Sequence, residues 1–216
     1  MLVKYIGKNF TMQPTFKNII FDLGGIFLTI NYQKTADAFK ELGVKNFDEL
    51  YAQHHASTLF ENLETGKIFA ADFYEQFRIL SNTALLDNEI ETAWNAMLGG
   101  FPIERIDWLK EIKQRYNVYL YSNTNAIHYQ AFMNIYEQTI GEGNFNSHFV
   151  KAYYSHEYGF RKPYASSYNQ LLQRENLIAS ETIFIDDTLV NIEGAAEIGL
   201  QTLHLVAPNT LLDLHW

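Results

Sequence analysis

Three apolar runs along the chain stop abruptly on polar residues: NIIFDLGG (18–25), VYLYSNTN (118–125) and TIFIDDTLVN (182–191). Short, unbroken apolarity of this kind is what a strand buried on both faces requires, so each run predicts a parallel strand whose carboxyl end opens into a loop. LQTLHLV (200–206) fits a further strand, and KAYYS (151–155) carries a fainter version of the pattern. Between the runs the apolar period changes to that of a helix. Ile106, Leu109, Ile112 and Tyr116 share one face of 102–116, and Pro163 is suited to begin a helix running through Leu171 and Leu172. VNIEGAAEIG predicts a short helix closed by Gly199. Alternating strand and helix predict an α/β protein with a doubly wound, Rossmann-like parallel sheet.

Residues 33–100 break that rhythm. KTADAFKELG, FDELYAQHHAST, AADFYEQFRIL and NEIETAWNAML predict amphipathic helices and no strand. A helical block directly after the first strand reads as a cap over the sheet edge. The expected division is an α/β core over 12–32 and 100–216, a helical cap over 33–99 and an N-terminal extension over 1–11. His54 and His55 invite a metal reading, but neighbours on a helix point different ways, and both are taken as cap surface.

Composition narrows the function. The 216 residues include no cysteine, which removes disulfides and thiolate metal sites and is compatible with a reducing cytosol. A formal net charge of −9 opposes binding to nucleic acid. No apolar run reaches membrane-spanning length, and the first residues lack a signal-peptide core, so a cytoplasmic protein with no membrane partner is expected. The pattern fixes no oligomeric state. An anionic ligand would need a local concentration of positive charge.

Such a place exists if the three strands are parallel and adjacent, because ligands in open α/β sheets bind beyond the carboxyl ends of the strands. The ends would gather Asp22, Ser122, Asn123, Asp186 and Asp187, with Arg161, Lys162 and Pro163 between the second and third strands in sequence. Asp22 and Asp187 can share a hard divalent cation that prefers oxygen ligands, Mg²⁺ above all. Ser122 and backbone amides near Asn123 can donate to phosphate oxygens, and Lys162 can offset charge developing in a transition state.

The motifs FDLGG, YSN, RKP and IDD, in this order across 19–191, resemble the four motifs of the haloacid dehalogenase-like (HAD) hydrolase superfamily, and the helical block lies where that family carries a type-1 cap. Within it the chain is most similar to sugar-phosphate phosphatases of the alpha-D-glucose-1-phosphate phosphatase type. The resemblance implies a Mg²⁺-dependent phosphatase acting on a small phosphorylated metabolite. Asp22 would be the nucleophile that forms an aspartyl-phosphate, and the Gly24 carbonyl and Asp187 would be metal ligands beside it. Asp186 would act in the outer shell through water, with Asn191 orienting one such water. Ser122, Asn123 and Lys162 would bind phosphate. Lys67, in the turn ETGKI, is a candidate for contact with the leaving group.

One position departs from the pattern. Most phosphatases of this superfamily carry a second aspartate, the general acid and base, where this chain has Gly24. Water or a cap residue could protonate the leaving group instead. The chain could alternatively be a weak or inactive phospholigand binder. Dehalogenases and phosphonatases also lack that aspartate, but dehalogenation leaves the Asp186-Asp187 pair without a task, and none of Lys34, Lys40, Lys45 or Lys67 stands out as an imine-forming lysine. A receiver-domain reading fails on motif order, since there the acidic pair ends the first strand.

Overall fold

A computed structural model describes residues 16–52, 55–56, 58–141, 143–214 and 216. The expected N-terminal extension and His54 fall outside them.

The strands are β1 (Asn18–Phe21), β4 (Asn117–Ser122), β5 (Lys151–Tyr154), β6 (Thr182–Asp186) and β7 (Gln201–His204). They form one parallel sheet in the order β5-β4-β1-β6-β7. The strand bearing Asp22 is therefore central, flanked by the other two strong runs. Every β1 residue is buried, and successive side chains divide between two cores, as a period of two demands. Ile19, Phe21, Val118, Leu120, Ile183 and Ile185 face one apolar cluster. Ile20, Tyr119, Tyr121 and Phe184 face the other. The first is covered by α6 (Ile103–Ile112) and α7 (Ala126–Thr139), the second by α9 (Ala165–Glu175) and α10 (Leu189–Glu197).

Between β1 and α6 lie α1 (Tyr32–Glu41), α2 (Phe47–Leu50), β2 (Tyr51–Ala52), β3 (His55–Ala56), α3 (Thr58–Glu64), α4 (Ala70–Ser81) and α5 (Asp87–Asn95). They enclose a third, aromatic-rich cluster that includes Phe39, Phe60, Phe73, Phe77 and Trp94. The chain enters and leaves this helical insert side by side. Ile30 bridges Leu98 antiparallel, and the Thr29 N–H donates to the Gly100 carbonyl at 3.0 Å while the Gly99 N–H donates to the Thr29 carbonyl at 2.8 Å.

Two expectations need correction. FDELYAQHHAST does not form one helix: α2 is a single turn, and Tyr51–Ala52 pairs antiparallel with His55–Ala56. Tyr51 and Phe47 pack their rings against Phe60, so tertiary contacts among aromatics outweigh a weak helical period. Pro163 precedes its helix, and α9 begins at Ala165 with Tyr164 as its extended N-cap. Short α8 (Ser155–Tyr158) follows β5 directly.

Candidate active site

Asp22 follows the last residue of β1, and its N–H donates to the Ile185 carbonyl at 2.9 Å, which locks it to β6 beside Asp186. Asp22, Asp186 and Asp187 each present a carboxylate oxygen within 4.8 Å of the others. Into this cluster reaches Lys162, whose side chain is 1% exposed. Its Nζ donates to Asp22 Oδ1 and to Asp186 Oδ2, both at 2.7 Å. Residues 140 and 24 positions apart from the lysine thus converge on one ammonium group.

The electrostatics follow from burial. Burial pushes the Asp22 carboxyl up to about 7; Lys162 opposes the rise, while Asp186 and Asp187 add to it. Asp187 is also raised, first by burial and then by Asp186. Burial alone would depress the Lys162 ammonium, but Asp186 and Asp22 outweigh it and hold its pKa above the usual lysine range. Three carboxylates against one ammonium leave the ionised cluster short of positive charge.

The two adjacent aspartates are held differently. Asp186 is fully buried. It accepts from Lys162, from the Thr188 N–H at 2.8 Å and from Asn191 Nδ2 at 3.0 and 3.2 Å. Its lone pairs are largely spent inside the protein. Asp187 is half-buried, and among the described residues its carboxylate accepts a long bond, 3.2 Å, from Thr188 Oγ1. Its carboxylate is the freer of the two, and His204 Nε2 holds its main-chain carbonyl at 2.9 Å. Asn191 bonds Asp186 directly and fixes that carboxylate.

Asn123 also grips another residue. Its Nδ2 donates to the Lys162 carbonyl at 3.0 Å and its Oδ1 accepts from the Lys162 N–H at 2.9 Å. Both side-chain functions engage the backbone of Lys162 and so position the lysine. Ser122 is buried at the end of β4, with a long 3.5 Å contact from its hydroxyl to the Asn123 carbonyl.

Gly24 and Gly25 do separate jobs. The Gly25 N–H donates to the Leu28 carbonyl at 2.8 Å and the Leu28 N–H to the Leu23 carbonyl at 3.0 Å. These bonds close the turn and leave the Gly24 carbonyl out of the bridge. Gly25 has φ +71°, and a Cβ there would lie 2.1 Å from Asp187 Oδ2. It is a turn glycine, as its sequence setting implies, but also the gap that admits Asp187. A Cβ at Gly24 would meet Ile30 Cγ1 at 3.3 Å.

Sequence reasoning missed Arg105, whose Nη1 donates to the Gly25 and Ile26 carbonyls at 2.8 Å each and pins the loop after Asp22. An arginine in the first turn of a surface helix gives no signal of that task. Arg161 is four-fifths buried at its side chain and pairs with Glu64 of α3.

The central carboxylate strand, the helical insert and the buried lysine together are those of a hydrolase built on a doubly wound sheet. A family model described as haloacid dehalogenase-like hydrolase matches residues 16–199. The chain belongs to the haloacid dehalogenase-like hydrolase family. It is 31% identical over 187 residues to a D-ribitol-5-phosphate phosphatase of Bacteroides thetaiotaomicron, covering 86% of this chain and 90% of that one. Identity with a sesquiterpene phosphatase of Aspergillus oryzae is 32% over 199 residues, or 90% of this chain and 92% of the relative. A crystal structure of a HAD family enzyme from B. thetaiotaomicron, an aspartate-to-alanine variant in complex with magnesium and inorganic phosphate, superposes with a TM-score of 0.84. It is 29% identical and aligns over 90% of this chain and 96% of its own.

Proposed function

We propose that this protein is a Mg²⁺-dependent phosphatase that hydrolyses a small sugar or sugar-alcohol phosphate through an aspartyl-phosphate on Asp22. The observation that carries the reading is the Lys162 ammonium bonded at 2.7 Å to both Asp22 and Asp186 within a cluster of three carboxylates. The relative named for a sugar-alcohol phosphate supports the substrate class.

The donor set suits the metal. Asp22, Asp187 and the Gly24 carbonyl are hard oxygen ligands, and the unbalanced negative charge of the cluster favours a dication. Asp186, committed to Lys162, Thr188 and Asn191, fits the outer-shell role. When bound, Mg²⁺ screens the attacking carboxylate from an anionic phosphate and polarises phosphoryl oxygens.

The chain's own residues carry the rest. Asp22, held by the Ile185 carbonyl, attacks phosphorus in line. Lys162 transfers hydrogen bonds from its carboxylates to equatorial phosphoryl oxygens, and Ser122 with the amide at Asn123 takes others. The alcohol leaves with a proton from water, and a second water then splits the acyl-phosphate to return Asp22 and inorganic phosphate. Residues 33–99 act as a cap over a core formed by 12–32 and 100–216, a division supported by the insert's own apolar cluster. A cysteine-free chain suits the cytoplasm, the compartment proposed here. Among the described residues no helix is long and apolar enough to cross a membrane.

The alternative raised by Gly24, a phospholigand binder without turnover, finds no support in relatives named as phosphatases. Purified protein is expected to release phosphate from ribitol 5-phosphate or p-nitrophenyl phosphate with Mg²⁺. Asp22→Asn should lower kcat by at least about 10³-fold. Turnover that survives both that substitution and EDTA would exclude the mechanism.

A further inference from the structure

One ion pair joins the helical insert to the segment that carries the catalytic lysine. Glu64, the last residue of α3, places Oε2 3.1 Å from Arg161 Nη2, with side-chain exposures of 11% and 20%. A pair so far from solvent forfeits most of its hydration, and its Coulomb energy does little more than replace what was lost. Net stabilisation is therefore a poor explanation for it, and its geometry is a better one.

The turn after Glu64 is seated on the core with little tolerance. Gly66 has φ +67°, and a Cβ there would lie 2.1 Å from the His156 carbonyl oxygen in α8. On the core side, Arg161 is covalently joined to Lys162, whose two backbone polar groups are bonded to the Asn123 amide and whose ammonium is bonded to Asp22 and Asp186. Any shift of Arg161 is passed through one peptide to a residue with no slack. Among the described residues the insert is also attached at the paired crossings at 29–31 and 97–100 and by the bond between His128 Nε2 and the Trp94 carbonyl.

We propose that Glu64 and Arg161 are a positioning pair that sets the register of the insert against the core and thereby holds Lys162 in its working place beside Asp22. This rests on the phosphatase reading above for its kinetic consequences, but not for its structural ones. Neither residue touches the reacting atoms in this role. Arg161 Nε is buried with no hydrogen-bond partner among the described residues, and Glu64 Oε2 meets Arg161 Nη2 as an ion pair without an aligned hydrogen bond; this spare capacity defines the rival role of reading hydroxyls on the leaving group.

The test compares Glu64→Gln, Arg161→Met and the double variant by kinetics on two substrates and by amide hydrogen exchange. p-Nitrophenyl phosphate has no hydroxyls on its leaving group, whereas ribitol 5-phosphate has several. Positioning predicts that each single variant loses about ten- to a hundredfold in kcat on both substrates. The double variant should be no slower than the worse single one, because the two residues act as a unit. Exchange should quicken together at 64–67 and 155–161. Losses confined to ribitol 5-phosphate, losses that add in the double variant, or unchanged exchange at both segments would each overturn the proposal. If the wild-type protein turns over neither substrate, the phosphatase reading fails, and exchange alone decides the pair: coupled quickening supports it and no change rejects it.

Discussion

Gly24 is where a single side chain decides the chemistry. The bare Cα offers no carboxyl to protonate a departing alkoxide, and a positioned acid is worth about 10²–10⁴-fold. Rates should therefore fall steeply as the leaving group becomes a poorer one. Gly24→Asp is expected to flatten that dependence and to recover part of the deficit on alkyl phosphates. The new Cβ would stand 3.3 Å from Ile30 Cγ1, so Ile30 must yield by a few tenths of an ångström, and Ile30→Ala in the same chain relieves the contact. kcat/KM across aryl and alkyl phosphates checks this; an identical slope in wild type and variant would mean that another group already donates the proton. The missing acid was legible in FDLGG because the motif fixes what belongs two residues after Asp22. The task of Asn123 was not. YSN marks the position as a phosphate contact, while the pairing of its amide with both backbone groups of Lys162 depends on a residue 39 positions away. The same holds for Arg105 and Glu64, whose partners are set by packing alone.

Elements were legible in proportion to how little they rely on distant contacts. The β1, β4 and β6 runs are apolar enough to specify buried strands unaided, and the sheet places them as neighbours. The segment 47–56 was not legible, because its four-residue helix and two-residue strands are too short to generate a period and take their shape from Phe60 and Trp94. The junction of α5 with α7 makes a testable point at this scale. His128, in the first turn of α7, bonds the Trp94 carbonyl through Nε2 at 3.1 Å, stacks on the Trp94 ring and accepts from Asn125 Nδ2 at Nδ1. That donor and acceptor pattern requires the neutral ring. Burial pushes its pKa down to about 4 from 6.5, with the Trp94 bond acting against the fall. A depressed folded-state value means that its contribution to stability is complete above pH 6.5 and is lost as pH falls through 4, by on the order of 3 kcal/mol. Thermal melts from pH 7.5 to 4 should steepen over that window. His128→Gln should melt lower at pH 7.5 but lose less on acidification; parallel pH profiles would contradict the assignment.

Across the whole molecule the dominant fact is negative charge, −9 overall and three carboxylates against one ammonium at the centre. For the metal-free protein the sign is fixed by the rise of Asp22 to about 7 from 3.8. A raised folded-state pKa favours the fold below pH 4, and that advantage fades as pH climbs towards 7 and the buried carboxyl ionises. A dication reverses the penalty, and below neutrality it must first displace the Asp22 proton. Magnesium is thus expected to raise the melting temperature more at pH 8 than at pH 5.5, and Asp22→Asn should abolish most of the difference. Equal shifts at the two pH values would show that Asp22 does not take part in holding the ion.

The paired crossings at Ile30 and Leu98 carry a consequence beyond catalysis. Because the polypeptide departs from the sheet and returns to it one ladder rung apart, whatever is threaded between those points closes a loop that the scaffold has already closed. Exchanging or lengthening that passage adds little entropic cost and leaves the strand order untouched. A lineage could exchange the whole passage without rebuilding the sheet, provided that each replacement again supplies a partner for Arg161.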